Sequence, residues 1–150
     1  MTSAPLASFK AAAYRCAATM QESASFITQE LASIEVPDPH QRAIREVCDA
    51  FMSNWFDIRT ELAELSELGL PDYAPSVRQR VDRIFRWLDE HRPELHGVVT
   101  ALSSAAKDDQ RCASAYILVT ESATNVLITL ASVADTRKYY LEAYARESGA

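Results

Sequence analysis

Apolar residues recur at alternating steps of three and four along most of this chain. After position 40 they fall at Ile44, Cys48, Phe51, Trp55, Ile58, Leu62 and Leu65. Further on they fall at Val77, Val81, Ile84, Leu88, His91, Leu95, Val98, Leu102 and Ala105. That spacing draws one stripe along an α-helix and no face of a strand. An earlier stripe reads Leu6, Phe9, Ala13, Cys16, Met20, Ile27, Leu31 and Ile34, and a later one Tyr116, Thr120, Ala123, Leu127, Leu130, Ala134, Leu141 and Tyr144.

Breakers separate the stripes. Ser3 and Pro5 open the first segment, and Val36-Pro37-Asp38-Pro39 ends it. Asp38 is placed to cap the second, with Gln41 completing a capping-box pattern, and Gly69 stops it. Ser76 with Gln79 predicts the next start, and Asp109 the last one. Rods of about thirty residues span about 45 Å each, and short connections make neighbours antiparallel. The expected fold is all-α, an up-down-up-down four-helix bundle forming a single domain over 1–150. The third stripe continues straight through Pro93, which predicts a helix kinked there.

Composition narrows the function. With 150 residues, a net charge of −6 and three glycines, the chain suits a soluble helical protein and lacks the basic balance of a nucleic-acid binder. The start carries no basic-then-apolar leader pattern, so a cytoplasmic protein is expected. Cys16, Cys48 and Cys112 have no C-x-x-C spacing and read as buried thiols. No histidine has a glutamate three residues before it, so no di-iron site is expected, nor any other metal or cofactor.

From Cys112 to Ala134 the only charge is Glu121. Burying that carboxylate in a bilayer costs about 2.5–3.5 kcal/mol, so no membrane span is expected. Residues 112–134 are read instead as a surface for self-association or for a protein partner.

Candidate chemistry gathers near Pro93. His91 falls on the inward stripe, with Trp87 at its margin and His96-Gly97 just beyond. This cluster predicts a ligand- or pH-sensing pocket at the kink. Arg80 and Arg83 open the third segment opposite Glu61 and Glu64, giving a basic face for a partner or a set of ion pairs. The six residues Arg86-Trp87-Leu88-Asp89-Glu90-His91 carry the R-x4-H spacing that resembles the catalytic motif of HEPN ribonucleases. That resemblance implies Arg86 on phosphate and His91 assisting 2′-hydroxyl attack. Without a fuller catalytic constellation, the leading expectation is a non-catalytic interaction module: an adaptor, an inhibitor or immunity-type protein, or a subunit of a larger assembly.

Overall fold

The computed structural model describes residues 4–148. It is all-helical, with 86% helix and no strand among those residues. The helices are α1 (Ala4–Leu31), α2 (Asp38–Glu67), α3 (Pro75–Asp89), α4 (Arg92–Ala105) and α5 (Gln110–Glu147). One hydrophobic cluster draws side chains from all five. Side-chain pairs give the relative directions. Phe51 meets His91, Asn54 meets Trp87 and Glu61 meets Arg80, so α2 runs against α3. Asp82 meets Arg137 and Arg78 meets Tyr144, so α5 runs against α3.

Proline sets two of the helix starts. The predicted caps Asp38 and Ser76 prove to lie inside their helices, because each start moves to a residue beside a proline. Pro37 flanks α2, and its carbonyl accepts from the Gln41 N–H at 3.0 Å. Pro75 opens α3 behind Ala74. A proline in the first turn gives up an N–H that no intrahelical carbonyl needs. Asp109 caps α5 as expected, its carboxylate accepting from the Arg111 N–H at 2.9 Å. Gly69 follows α2 with φ +65°, the left-handed setting that closes a helix at low cost to glycine alone. The predicted start at Ser3 lies outside the described residues.

The region of Pro93 bears out the expected interruption only in part. α3 ends at Asp89, residues 90–91 form a turn, and α4 begins at Arg92 with Pro93 in its first turn. The two helices join with a bend of only 12°. Pro93 therefore sits where its missing N–H goes unused, and the cost of about 3 kcal/mol for an interior proline does not arise. Hydrogen bonds close on either side, Glu90 N–H to Arg86 and Leu95 N–H to His91, each 3.0 Å. Arg92 adds a clamp across the gap, its Nε donating to Asp89 Oδ1 at 3.0 Å.

The first three stripes face inward almost as read; Trp55, His91, Ile34 and Ala105 lie at the margin, half-buried. The fourth does not. Of its eight residues only Ala123 and Leu130 are buried, while Cys112, Ala115, Val119, Ser122, Val126, Val133 and Tyr140 form the inward row. The true row precedes the predicted one by about one residue, a rotation of about 100°. With almost no charge between 112 and 134, nothing marked the outer face.

Candidate functional site

Three regions hold the side chains of interest. The first surrounds the α3–α4 junction. The His91 side chain is 12% exposed and its ring stands edge-on to Phe51, centroids 6.0 Å apart. Its Nδ1 is buried without a hydrogen-bond partner, and Nε2 lies 3.7 Å from Glu90 Oε1. Beside it Asn54, 5% exposed, donates from Nδ2 to the Trp87 carbonyl at 3.3 Å and to Met20 Sδ at 3.8 Å. This buried amide ties α1, α2 and α3 together. The sequence reading missed it, although its place three residues after Phe51 puts it on the inward stripe.

Trp87 is half-buried and packs against the core, while the remaining residues predicted near the junction face solvent. Pro93 and His96 are exposed. Arg86 is exposed too, and among the described residues its side chain makes no hydrogen bond or ion pair. Arg86 thus faces solvent while the His91 ring packs inward. Gly97 lines an open groove of about 330 Å³ between α2 and α4, with Glu46, Val47 and Glu94. His91 is not among that groove's lining residues.

The second region is an acid–base seam between α2 and α3. Glu61, with its side chain 8% exposed, accepts from Arg80 Nη1 at 3.2 Å and from Arg83 Nη1 at 3.5 Å. Arg80 also reaches Glu64 Oε2 at 3.3 Å. On the far side of α3, Arg137 of α5 pairs with Asp82 at 2.9 Å and lies over the Phe85 ring. The predicted basic patch is in this way partly spent on internal pairing. At the same end of the molecule, the buried Tyr140 donates its hydroxyl to the Asp72 carbonyl at 2.6 Å and stacks on Tyr73. Burial pushes the Tyr140 phenol well above its ordinary range. A broad groove of about 720 Å³ opens beside this lock, lined by Lys10, Leu65, Gly69, Leu70 and Val77 among others.

The third region is the outward side of α5. Ile117 is 61% exposed and Ile128 is 64% exposed, on a helix whose most apolar 18-residue window has a mean hydropathy of 1.5. Only 33% of that window is buried. By length and composition alone the helix is long and apolar enough to cross a membrane. Phe26 of α1 flanks the face across a groove of about 220 Å³ that Glu121, Ser122 and Asn125 share.

All three cysteines are free and buried. Burial pushes the Cys16 thiol up to about 11, a hydrogen bond with Thr129 opposing part of the rise, and burial raises Cys48 as well. Such thiols stay protonated and make poor nucleophiles. No group of three or more His, Cys, Asp or Glu side chains stands close enough to hold a metal ion among the described residues. No protein-family model, curated protein or solved structure matches the chain.

Proposed function

We propose that this chain is a non-catalytic protein-interaction module, an up-down-up-down four-helix bundle that docks a protein through the outward side of α5. The observation that carries the reading is the exposure of Ile117 and Ile128 within residues 112–134 of α5, where Glu121 is the one charged residue. Large aliphatic side chains exposed on one sparsely charged face mark an interface more often than a solvated surface. An adaptor, an inhibitor or a subunit of a larger assembly all fit such a face. The net charge of −6 argues against a nucleic-acid partner.

The test replaces both isoleucines with lysine, Ile117→Lys and Ile128→Lys together. The parent is expected to hold a partner, another copy or another protein, in cross-linking and light scattering. The variant should lose it at unchanged helix content and urea midpoint. A partner retained by the variant overturns the docking face.

A second reading rests on His91. A buried ring nitrogen without a partner, beside a break in the helix, supports a ligand- or pH-sensing junction. Replacing His91 with glutamine and comparing urea midpoints from pH 7.5 to 5 tests it. Parallel curves for parent and variant remove the reading. The HEPN-like alternative draws only on the Arg86–His91 spacing. It predicts metal-independent RNA cleavage by the parent that the same His91 variant lacks.

A further inference from the structure

We infer that the occupant of the outward face of α5 is a second copy of this chain, paired antiparallel through α5 about a two-fold axis level with Ser122 and Ala123. The inference rests on the interaction reading above and names its partner. At 100° per residue, Gln110, Ile117, Glu121, Thr124, Ile128 and Asp135 fall within about 40° of one line along the helix. All six are exposed. The line is about 37 Å long at 1.5 Å per residue.

Read backwards, this line complements itself. An axis between Ser122 and Ala123 sets Ile117 against Ile128 of the second copy, and symmetry repeats the contact. Glu121 comes opposite Thr124 and beside Asn125 of the second copy, whose exposed amide can donate to the carboxylate. Gln110 comes opposite Asp135, again an amide donor facing a carboxylate. Both acidic groups on the line therefore meet a donor.

The competing arrangements bring like charges together. A parallel, in-register pair places Glu121 on Glu121 and Asp135 on Asp135. An antiparallel pair centred on Ile128 sets Ile117 against Tyr139, but it sets Glu121 against Asp135. Like charges facing across a desolvated contact disfavour both. The groove beside Glu121 and Asn125, with Phe26 and the exposed Glu22 of α1 on its far wall, lies next to the axis. One helix face with a flanking aromatic is a small interface, so association in the micromolar range is expected rather than nanomolar.

The experiment is a charge-swap series followed by sedimentation equilibrium over a wide concentration range. The variants are Ile117→Lys, Ile128→Glu and the two combined. The parent should pass from one to two chains as concentration rises. Each single change should weaken dimerisation by about tenfold or more, by placing a charge against an isoleucine. The combined variant should return to within about threefold of the parent, because Lys at 117 meets Glu at 128 of the second copy twice. Both positions are exposed, so circular dichroism and urea midpoints should match across the series. A folded combined variant that stays as weak as the singles overturns the antiparallel register. A parent that stays monomeric overturns the second copy as occupant; if capture of a different protein still depends on Ile117 and Ile128, the interaction reading survives that result. A monomeric parent that floats with liposomes through the same two residues overturns both.

Discussion

The seam between α2 and α3 and the outward face of α5 are built in opposite ways. In the seam the buried polar groups are paired: Glu61 with two arginines, and Asn54 with the Trp87 carbonyl. On the face, the large side chains are apolar, exposed and unpartnered within the chain. A buried carboxylate or amide has one acceptable setting, because any other leaves it desolvated and unpaired. The seam thus fixes how α2 and α3 register against each other. Isoleucines at 117 and 128 gain nothing from water and carry no directional demand within the monomer. In the proposed dimer the second copy covers them.

The sharpest way to separate the two regions is a matched pair of truncations. Leu88 is fully buried on α3, and Leu88→Ala should cost about 2–5 kcal/mol, transfer loss plus a cavity. Ile128→Ala should change monomer stability by about 0.5 kcal/mol or less, since little surface is lost from the core. Urea unfolding at low protein concentration measures both. A large loss at Ile128 under those conditions would mean that the face is held by the chain itself.

The next effect probes the seam. Glu61→Ala leaves Arg83 without its carboxylate and Arg80 with Glu64 alone. The pair lies between the surface and buried extremes, since Arg80 is 25% exposed against 8% for Glu61. A loss of about 1–3 kcal/mol is expected, partly masked by high salt. A loss below about 0.3 kcal/mol in low salt would show that the seam is ornamental. Tyr140→Phe keeps the ring on Tyr73 and removes only the hydroxyl held by Asp72. It should cost about 1 kcal/mol, and urea midpoints decide it.

The same contrast explains what the sequence revealed. In α2 and α3, charged residues on the outer side bracket the apolar stripe, so Ile44, Phe51, Ile58, Val81 and Ile84 were legible as core. In α5 the polar residues between 112 and 134 are mostly hydroxyls, which bond back to carbonyls of their own helix, as Thr124 and Thr129 do, and so mark no face; Asn125 and one glutamate are the exceptions. Their pattern left the rotation of the helix open, and Tyr140 was passed over for Leu141 and Tyr144. At Pro93 the sequence showed a proline on a continuous stripe but not where hydrogen bonding restarts. Asn54 stood on a legible stripe, yet no local signal names the carbonyl of Trp87 as its partner. Long-range pairing of that kind belongs to the packed helices.

The smallest effect concerns the start of α5, where the outward face begins. Asp109 accepts hydrogen bonds from the Arg111 guanidinium at 3.1 and 2.9 Å and from the Arg111 N–H at 2.9 Å. Those bonds, the guanidinium first, hold its carboxyl down to about 2. An unfolded aspartate titrates near about 3.9. Between those values the unfolded chain binds the proton more readily, so acid favours unfolding. The contribution of Asp109 is complete above about pH 4 and fades as pH falls toward 2. Asp109→Asn retains an oxygen for the Arg111 N–H and cannot titrate. The parent should therefore exceed the variant in urea midpoint at pH 5, and the difference should shrink by pH 2.5. Subtracting the two curves cancels the other carboxylates. The ion pair lies at the surface, so added salt should reduce the gap at pH 5. A gap that is the same at both pH values would mean that the ionised carboxylate does not anchor this helix start.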